Sequence, residues 1–168
     1  MVPAGPSSPA PSLHPNAAAV RDAGLVLGLD VEVVTYPEGT RTALDAATAI
    51  GCSVAQIVKS LIFSVDGELT LALVSGANQL DEAKLARAAG ATETARANAE
   101  QVRDATGYPI GGVPPFGHRR HLAVFVDREL LDHDRVWAAA GTPHTVFATD
   151  PHTLVRVTGA PVVDLRRD

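Results

Sequence analysis

One lysine interrupts an otherwise apolar stretch of the chain. Lys59 lies within residues 57–63, where most of its neighbours are aliphatic or aromatic. An ammonium group buried there without a partner would be costly. Two interpretations remain open: the side chain extends along its aliphatic stem to solvent, or the ammonium group faces a pocket that holds an anion or a polarised carbonyl.

The second candidate is a loop rich in glycine and proline. Residues 107–117 contain four glycines and three prolines. Glycine allows the main chain to approach a ligand closely, and proline stiffens the loop so that its N–H groups keep their direction. The functional interpretation is an anion- or oxyanion-binding loop, and the alternative is a rigid connector. The candidate residues are Gly111, Gly112, Val113, Pro114 and Pro115.

The histidines, aspartates and cysteine of the chain do not form a recognisable metal site or catalytic motif. His118 and His121 enclose two arginines, which would repel a metal ion, and the run Asp132, His133, Asp134 has no second cluster in register. We therefore expect neither a metal nor a cofactor. Cys52 is the only cysteine, which excludes an internal disulfide and fits a reducing cytosol. The basic stretch 118–121 either meets phosphate near the loop or forms a solvated turn.

The clearest structural signal is a β-hairpin around Lys59. Two apolar segments, 57–65 and 69–74, flank Asp66 and Gly67, a dipeptide that favours a type I′ turn. Neither segment alternates cleanly, so we expect the hairpin to be central and covered on both faces.

The remaining pattern mixes strands and helices without a regular βαβ rhythm, which predicts an α+β fold. Thr42 and Asp45 resemble a capping box at a helix start. The predicted helices are 16–29, 42–50, 81–89, 97–106 and one from about 151; the other predicted strands are 30–36, 122–127, 145–148 and 162–165.

Composition limits the classes of protein to which the chain can belong. With 168 residues it fits one domain, here 16–168, preceded by a disordered tail at 1–15 rich in Pro, Ser and Ala. No apolar run is long enough for a membrane helix. A net charge of −5 argues against a protein that binds along nucleic acid by neutralising many phosphates. It does not exclude a protein that binds only one end of an RNA.

The lysine and the loop, in this order, identify a family resemblance. The segments QIVKSLIFSVDGELTLALVSG, QLDEAKLARAAGA and TGYPIGGVPPFGHRRHLAVFVD resemble the YbaK/ProX superfamily of aminoacyl-tRNA deacylases, relatives of the editing domain inserted in bacterial prolyl-tRNA synthetases. The resemblance runs from about Asn16 to the C-terminus. It implies a single α+β domain with a mixed, partly curled β-sheet surrounded by short helices.

The resemblance also implies a site. The family lysine falls on Lys59, the Gly-x-x-x-Pro loop falls on 111–115, and Asp127 matches an aspartate that closes the next strand. Some relatives carry a Ser-Gly-Gly turn near the substrate where this chain has Ala139, Ala140 and Gly141. Their amino-acid preference therefore cannot be transferred.

The implied activity is trans-editing: hydrolysis of the ester in a mischarged tRNA that carries a small amino acid. Water attacks the carbonyl, the loop amides receive the developing charge, and Lys59 anchors a phosphate or the aminoacyl group. The expected partners are the acceptor end of aminoacyl-tRNA and a synthetase, in the cytoplasm, without DNA or membrane. Two alternatives stay open: a module that binds aminoacyl-tRNA or a synthetase without hydrolysis, and a hydrolase of another small acyl ester.

Overall fold

The computed structural model describes residues 13–36 and 42–168. Most of the predicted tail lies outside these ranges, so it stays a prediction. The first helix begins at Pro15, with the ring of His14 accepting a hydrogen bond from the Asn16 amide. The described residues include no helix that is long and apolar enough to cross a membrane.

Within the described part of the chain, five α-helices occupy positions close to those predicted. They are α1 (Pro15–Val26), α2 (Ala43–Ile50), α3 (Glu82–Ala89), α4 (Ala99–Thr106) and α5 (Pro151–Thr158). The predicted capping box is confirmed, because the Asp45 amide donates to Thr42 Oγ1 at 3.0 Å and the Thr42 amide donates to the Asp45 carboxylate at 3.2 Å. Short 3-10 helices cover Val54–Gln56 and Arg128–Asp132.

The described residues form eight strands in two sheets. They are β1 (Val34–Thr35), β2 (Val58–Val65), β3 (Glu68–Ser75), β4 (Thr94–Arg96), β5 (Ala123–Asp127), β6 (Val136–Ala139), β7 (Thr145–Thr149) and β8 (Val162–Val163). The larger sheet has the order β4-β2-β3-β5-β8 and mixes antiparallel with parallel pairs. The smaller sheet, β1-β7-β6, is antiparallel. The α+β class and the mixed sheet are confirmed, and the sheet remains open.

The predicted hairpin is confirmed. β2 and β3 pair over their whole lengths, and the turn residues Asp66 and Gly67 both have positive φ, 49° and 86°, as a type I′ turn requires. Both strands lie inside the five-stranded sheet, and separate apolar clusters cover its two faces. Lys59 is thereby fixed in the middle of the fold.

Two strand predictions were wrong in extent, and one strand was not predicted. Only Val34–Thr35 pairs within the predicted strand 30–36, and only Val162–Val163 within 162–165. β4 was missed entirely. It has three residues, and two of them are exposed, so no hydrophobic alternation marks it. Its pairing with residues 63–65 of β2 is a long-range contact that a local pattern cannot predict.

Candidate functional site

The two sheets meet at one point and then separate. Ile57, just before β2, forms an isolated parallel bridge with Trp137 of β6. Beyond this bridge β2 and β6 share no paired residues in the described chain. On the same side, β4 pairs with β2 only from residue 63 onward. Among the described residues, no other strand therefore pairs with the edge of β2 at residues 58–61.

A cavity of ≈ 540 Å³ lies along this uncovered edge. Residues 57–61 form one wall, and the β6–β7 strands with the turn at residue 111 form the other. Its volume is in the range of ordinary small-molecule sites. The described lining residues are Tyr36, Thr42, Ala43, Ala46, Ile57, Val58, Lys59, Ser60, Leu61, Arg96, Ile110, Gly111, Trp137, Ala139, Pro143, His144, Thr145 and Val146.

Main-chain groups of both strands face the space between the sheets. In an antiparallel ladder, successive residues direct their N–H and C=O groups to opposite sides. The Ile57 carbonyl accepts from Gly76 on the β3 side, whereas the Ile62 carbonyl accepts from Ala97 on the other side. Ser60 therefore faces away from β3. Likewise Ala140 donates to Thr145 toward β7, so Ala139 faces away from β7 and toward β2.

The loop reaches the cavity through a tight turn. The Gly112 amide donates to the Pro109 carbonyl at 2.9 Å, which closes a four-residue turn. Gly111, the third residue of that turn, has a φ of 86°, the left-handed conformation that a type II turn requires there. Since Pro114 and Pro115 have no N–H and that of Gly112 is engaged, the loop keeps two candidate donors, Gly111 and Val113. Only Gly111 lines the cavity.

Close packing holds this loop against the β6–β7 turn. The Gly141 amide donates to the Gly112 carbonyl at 2.9 Å. A Cβ atom on Gly112 would lie 2.8 Å from the Cα atom of Thr142. On the other side of the loop, His118 Nε2 donates to the Pro114 carbonyl at 2.6 Å. Burial lowers the pKa of His118, although this hydrogen bond opposes the shift, so the ring is held in its neutral form.

Lys59 reaches the cavity from β2 and is oriented by hydrogen bonding. Its Nζ donates to the main-chain oxygen of Asn78. Asn78 in turn donates through its side chain to Glu129, which pairs with Arg166 at 2.9 Å. Burial, and to a lesser extent the nearby charge of Arg96, lowers the pKa of Lys59. An ammonium group has three donors, so two remain for a ligand beside the bond to Asn78.

Two residues that line the cavity carry a buried hydroxyl for which residues 13–36 and 42–168 offer no hydrogen-bond partner. They are Tyr36, which is 8% exposed, and Ser60. Burial, followed by the nearby Cys52, raises the pKa of Tyr36, so its hydroxyl stays protonated. Buried polar atoms are nearly always paired, and an unpaired one needs an explanation.

The structure brings some of the nine candidate residues together. Lys59, Gly111 and Ala139 line one cavity. Gly112, Val113, Pro114 and Pro115 are buried behind Gly111. Gly141 does not line the cavity; its carbonyl accepts from the Asn16 side chain at 3.0 Å and so ties α1 to this turn.

Asp127 lies elsewhere. It is fully buried, and its carboxylate accepts from the amides of Leu165 at 2.8 Å and Glu129 at 3.4 Å. Burial raises the pKa of Asp127, while these two bonds act against that shift. In this position Asp127 joins the end of β5 to the C-terminal segment and to the 3-10 helix that carries Glu129.

Sequence reasoning missed most of the lining residues, among them the polar or aromatic side chains of Tyr36, Ser60, Arg96 and Trp137. Ser60 carried one usable signal, a hydroxyl beside Lys59 within an apolar strand. The others reach the cavity through contacts between distant segments. No cluster of His, Cys, Asp or Glu suited to a metal ion occurs within residues 13–36 and 42–168.

Comparison with known proteins identifies similar chains. Residues 37–157 match the family described as aminoacyl-tRNA editing domain. The chain is 38% identical over 101 residues to a proline–tRNA ligase of Maridesulfovibrio salexigens, a match that covers 60% of this chain and 17% of the ligase. It is 28% identical to the uncharacterized protein YwhH of Bacillus subtilis, covering 73% of this chain and 78% of YwhH. The chain thus spans only a small part of the ligases that it matches.

Comparison with solved structures also identifies similar proteins. A crystal structure described as a candidate trans-editing enzyme for prolyl tRNA synthetase is 45% identical, with a TM-score of 0.89, and the match covers 94% of this chain and 100% of that one. A second structure, the hypothetical protein APE2540, is 31% identical with a TM-score of 0.81, covering 89% of this chain and 99% of that one.

Proposed function

The chain belongs to the family of aminoacyl-tRNA editing domains, and from this premise we propose that it hydrolyses the ester of a mischarged aminoacyl-tRNA that carries a small amino acid. The observation that carries the proposal is the shared cavity of Lys59 and Gly111. A cationic side chain and a main-chain turn from distant parts of the sequence converge on one space of a size suited to an esterified nucleoside.

The mechanism needs positioning and charge stabilisation more than a protein nucleophile. Water attacks the ester carbonyl, and negative charge develops on its oxygen. The Gly111 amide and one free donor of the Lys59 ammonium group are the candidates to receive it. One well-placed oxyanion donor is typically worth about 10²–10³ in rate. The ribose leaves as its hydroxyl, which takes up the proton released by the attacking water.

The lining supports an aminoacyl end with a small side chain. Between the polar groups, the wall is built of small and aliphatic residues, among them Ala43, Ala46, Val58 and Val146. A synthetase pocket separates side chains that differ by one methylene by only about 1–3 kcal/mol. A second site with a different shape corrects the resulting errors.

Charge supports a limited contact with tRNA. The chain has a net charge of −5, yet Lys59 and Arg96 both line the cavity, and none of the described lining residues is acidic. A local positive field of this kind attracts one phosphate-bearing end rather than a long stretch of backbone. We propose that a synthetase, working in the cytoplasm, supplies the remaining affinity for tRNA.

The test is a deacylation assay on a panel of mischarged tRNAs. We expect the wild type to hydrolyse at least one species, and Lys59→Ala to lose about 10²-fold or more in kcat/KM while remaining folded. Lys84 is the only other lysine and forms ion pairs with Asp164 and Asp168 outside the cavity. Lys84→Ala is therefore the matched control and should keep its activity.

Each other result has a distinct meaning. Binding of charged tRNA without turnover would indicate a non-catalytic module. Turnover of small acyl esters but of no aminoacyl-tRNA would indicate a different hydrolase. Equal activity of Lys59→Ala and the wild type would remove Lys59 from the site.

A further inference from the structure

The hydrogen bonds that hold Lys59 lead away from the cavity to Glu129. Lys59 Nζ donates to the main-chain oxygen of Asn78, and the Asn78 side chain donates to one carboxylate oxygen of Glu129. Within residues 13–36 and 42–168, that main-chain oxygen has no other donor and that side chain has no other partner. Glu129 is not among the described lining residues. The chain of bonds therefore joins a residue inside the cavity to one outside it.

The main chain of Asn78 is only partly restrained by its own turn. Its amide donates to the Ser75 carbonyl at 3.0 Å, which fixes the residue on the side of β3. The peptide group that follows carries the oxygen bound by Lys59, and its N–H, that of Gln79, makes no hydrogen bond to the described residues. A peptide group with so few bonds can rotate, so the bond from the Asn78 side chain to Glu129 helps to keep the oxygen turned toward Lys59.

Glu129 is held through both its main chain and its carboxylate. Its amide donates to the buried carboxylate of Asp127 at 3.4 Å, and its second carboxylate oxygen accepts from Arg166 at 2.9 Å. The pair with Arg166 is worth little by itself, because the two side chains are 31% and 53% exposed. Its effect is to give the carboxylate one orientation, in which the other oxygen faces Asn78.

This arrangement orients Lys59 without neutralising it. Lys59 forms no ion pair with the described residues, and none of the described lining residues is acidic. A carboxylate bonded directly to the ammonium group would compete with an anionic ligand for it. A neutral carbonyl takes one of the three donors and leaves the charge available to the ligand.

We propose that Glu129 is a positioning residue for Lys59: by holding the Asn78 side chain, it turns the Asn78 main-chain oxygen toward the ammonium group and so directs the two remaining donors into the cavity. This inference rests on the proposed function, because it assumes that Lys59 acts on the substrate. Since Glu129 acts through Lys59, its removal should have no effect where the lysine is absent.

A double-mutant cycle separates positioning from general support of the fold. Single-turnover deacylation, with enzyme in excess, is measured for the wild type, Glu129→Ala, Lys59→Ala and the double variant. A displacement near 1 Å can cost about 10²-fold in rate; because Lys59 stays on β2, we expect a smaller loss of about 10-fold in Glu129→Ala. The same substitution should cause no further loss in the Lys59→Ala background. An equal loss in both backgrounds, or no loss in either, would overturn the inference.

Two more variants and one control identify the bond that matters. Asn78→Ala removes the side chain and keeps the main-chain oxygen, so it should lose as much activity as Glu129→Ala. Glu129→Gln keeps an oxygen that can accept from Asn78 and should restore most of the activity. Asp164→Ala is the control, because this carboxylate has a similar exposure, 38%, but pairs with Lys84. It should keep wild-type activity, and a loss equal to that of Glu129→Ala would contradict a specific role for Glu129.

A second measurement does not depend on hydrolysis. The chain has only two lysines, Lys59 and Lys84, so isotope-labelled lysine gives two sets of side-chain NMR signals, which Lys84→Ala assigns. The two Hε protons of an immobilised lysine differ in chemical shift, whereas those of a freely rotating lysine coincide. We expect the Lys59 pair to be split in the wild type and in Glu129→Gln. It should coincide in Glu129→Ala and Asn78→Ala, and a pair that stays split in both would overturn the inference.

The two proposals can fail separately. If the wild type hydrolyses no aminoacyl-tRNA, the proposed function fails, and the NMR signals still decide whether Glu129 orients Lys59. If the wild type is active and Glu129→Ala equals it in rate and in the Lys59 signals, only the positioning role is refuted.

Discussion

The substitution Gly112→Ala tests whether close packing of the loop sets the geometry of the site. A Cβ atom at this position would lie 2.8 Å from the Cα atom of Thr142 and 2.9 Å from the main chain of Gly141. Ordinary contact begins at 3.4 Å, so the loop and the β6–β7 turn must separate by roughly 0.6 Å. The clash is with main-chain atoms, which cannot rotate away as a side chain can.

Two effects should lower the free energy of unfolding of Gly112→Ala. Overpacking of this kind costs about 1–3 kcal/mol, and weakening the bond from the Gly141 amide to the Gly112 carbonyl adds about 0.5–1.5 kcal/mol. With a urea m value of roughly 2 kcal/mol/M, a loss of about 2 kcal/mol lowers the unfolding midpoint by about 1 M. Because a displacement near 1 Å can cost about 10²-fold in rate, kcat/KM should fall about 10- to 100-fold.

The assay is urea unfolding together with deacylation at a urea-free condition where the variant is folded. Gly90→Ala is the control: Gly90 has a φ of 68°, and no atom of the described residues lies within 4 Å of a built Cβ atom. It should lose about 1–2 kcal/mol through its left-handed conformation and keep its activity. Gly112→Ala with the wild-type midpoint and rate would refute the reasoning.

Two further expectations concern buried groups around the site. Asp127→Ala leaves the Leu165 amide without its acceptor, so the free energy of unfolding should fall by about 1–3 kcal/mol; an unchanged urea midpoint would contradict the structural role of this carboxylate. His118 has a lowered pKa in the folded state because of burial, so its stabilising effect is complete above about pH 6.5 and is lost as the pH falls toward the folded-state pKa. In His118→Gln the loss of stability between pH 7.5 and 5 should be smaller than in the wild type, as measured by unfolding at each pH, and an identical pH dependence would contradict this assignment.

The sequence predicted the turns and helix ends that are specified by neighbouring residues. Asp66 and Gly67 specify their turn through positive φ values, and Thr42 with Asp45 specifies a helix start. The helices before Gly90 and Gly107 end where a left-handed residue can terminate them. The central position of the hairpin followed from its high apolar content without clean alternation.

The cavity could not be derived in the same way. It exists because β2 and β6 touch at Ile57 and Trp137 and then diverge, which is a relation between segments 80 residues apart. The sequence alone does not show that Tyr36 and Ser60 line the cavity, because their positions there depend on contacts between distant segments. The loop was recognised, but its usable donors were not, because the engaged amide of Gly112 depends on the turn conformation.

A crystal structure with a 3′-amide analogue of aminoacyl-adenosine tests the central claim most directly. We expect the amide carbonyl oxygen to lie within hydrogen-bond distance of the Gly111 amide, about 2.7–3.1 Å, with the Lys59 ammonium group in contact with the ligand and the aminoacyl end between Ser60 and Ala139. An analogue bound away from this cavity, with Lys59 making no contact to it, would contradict the assignment of the site.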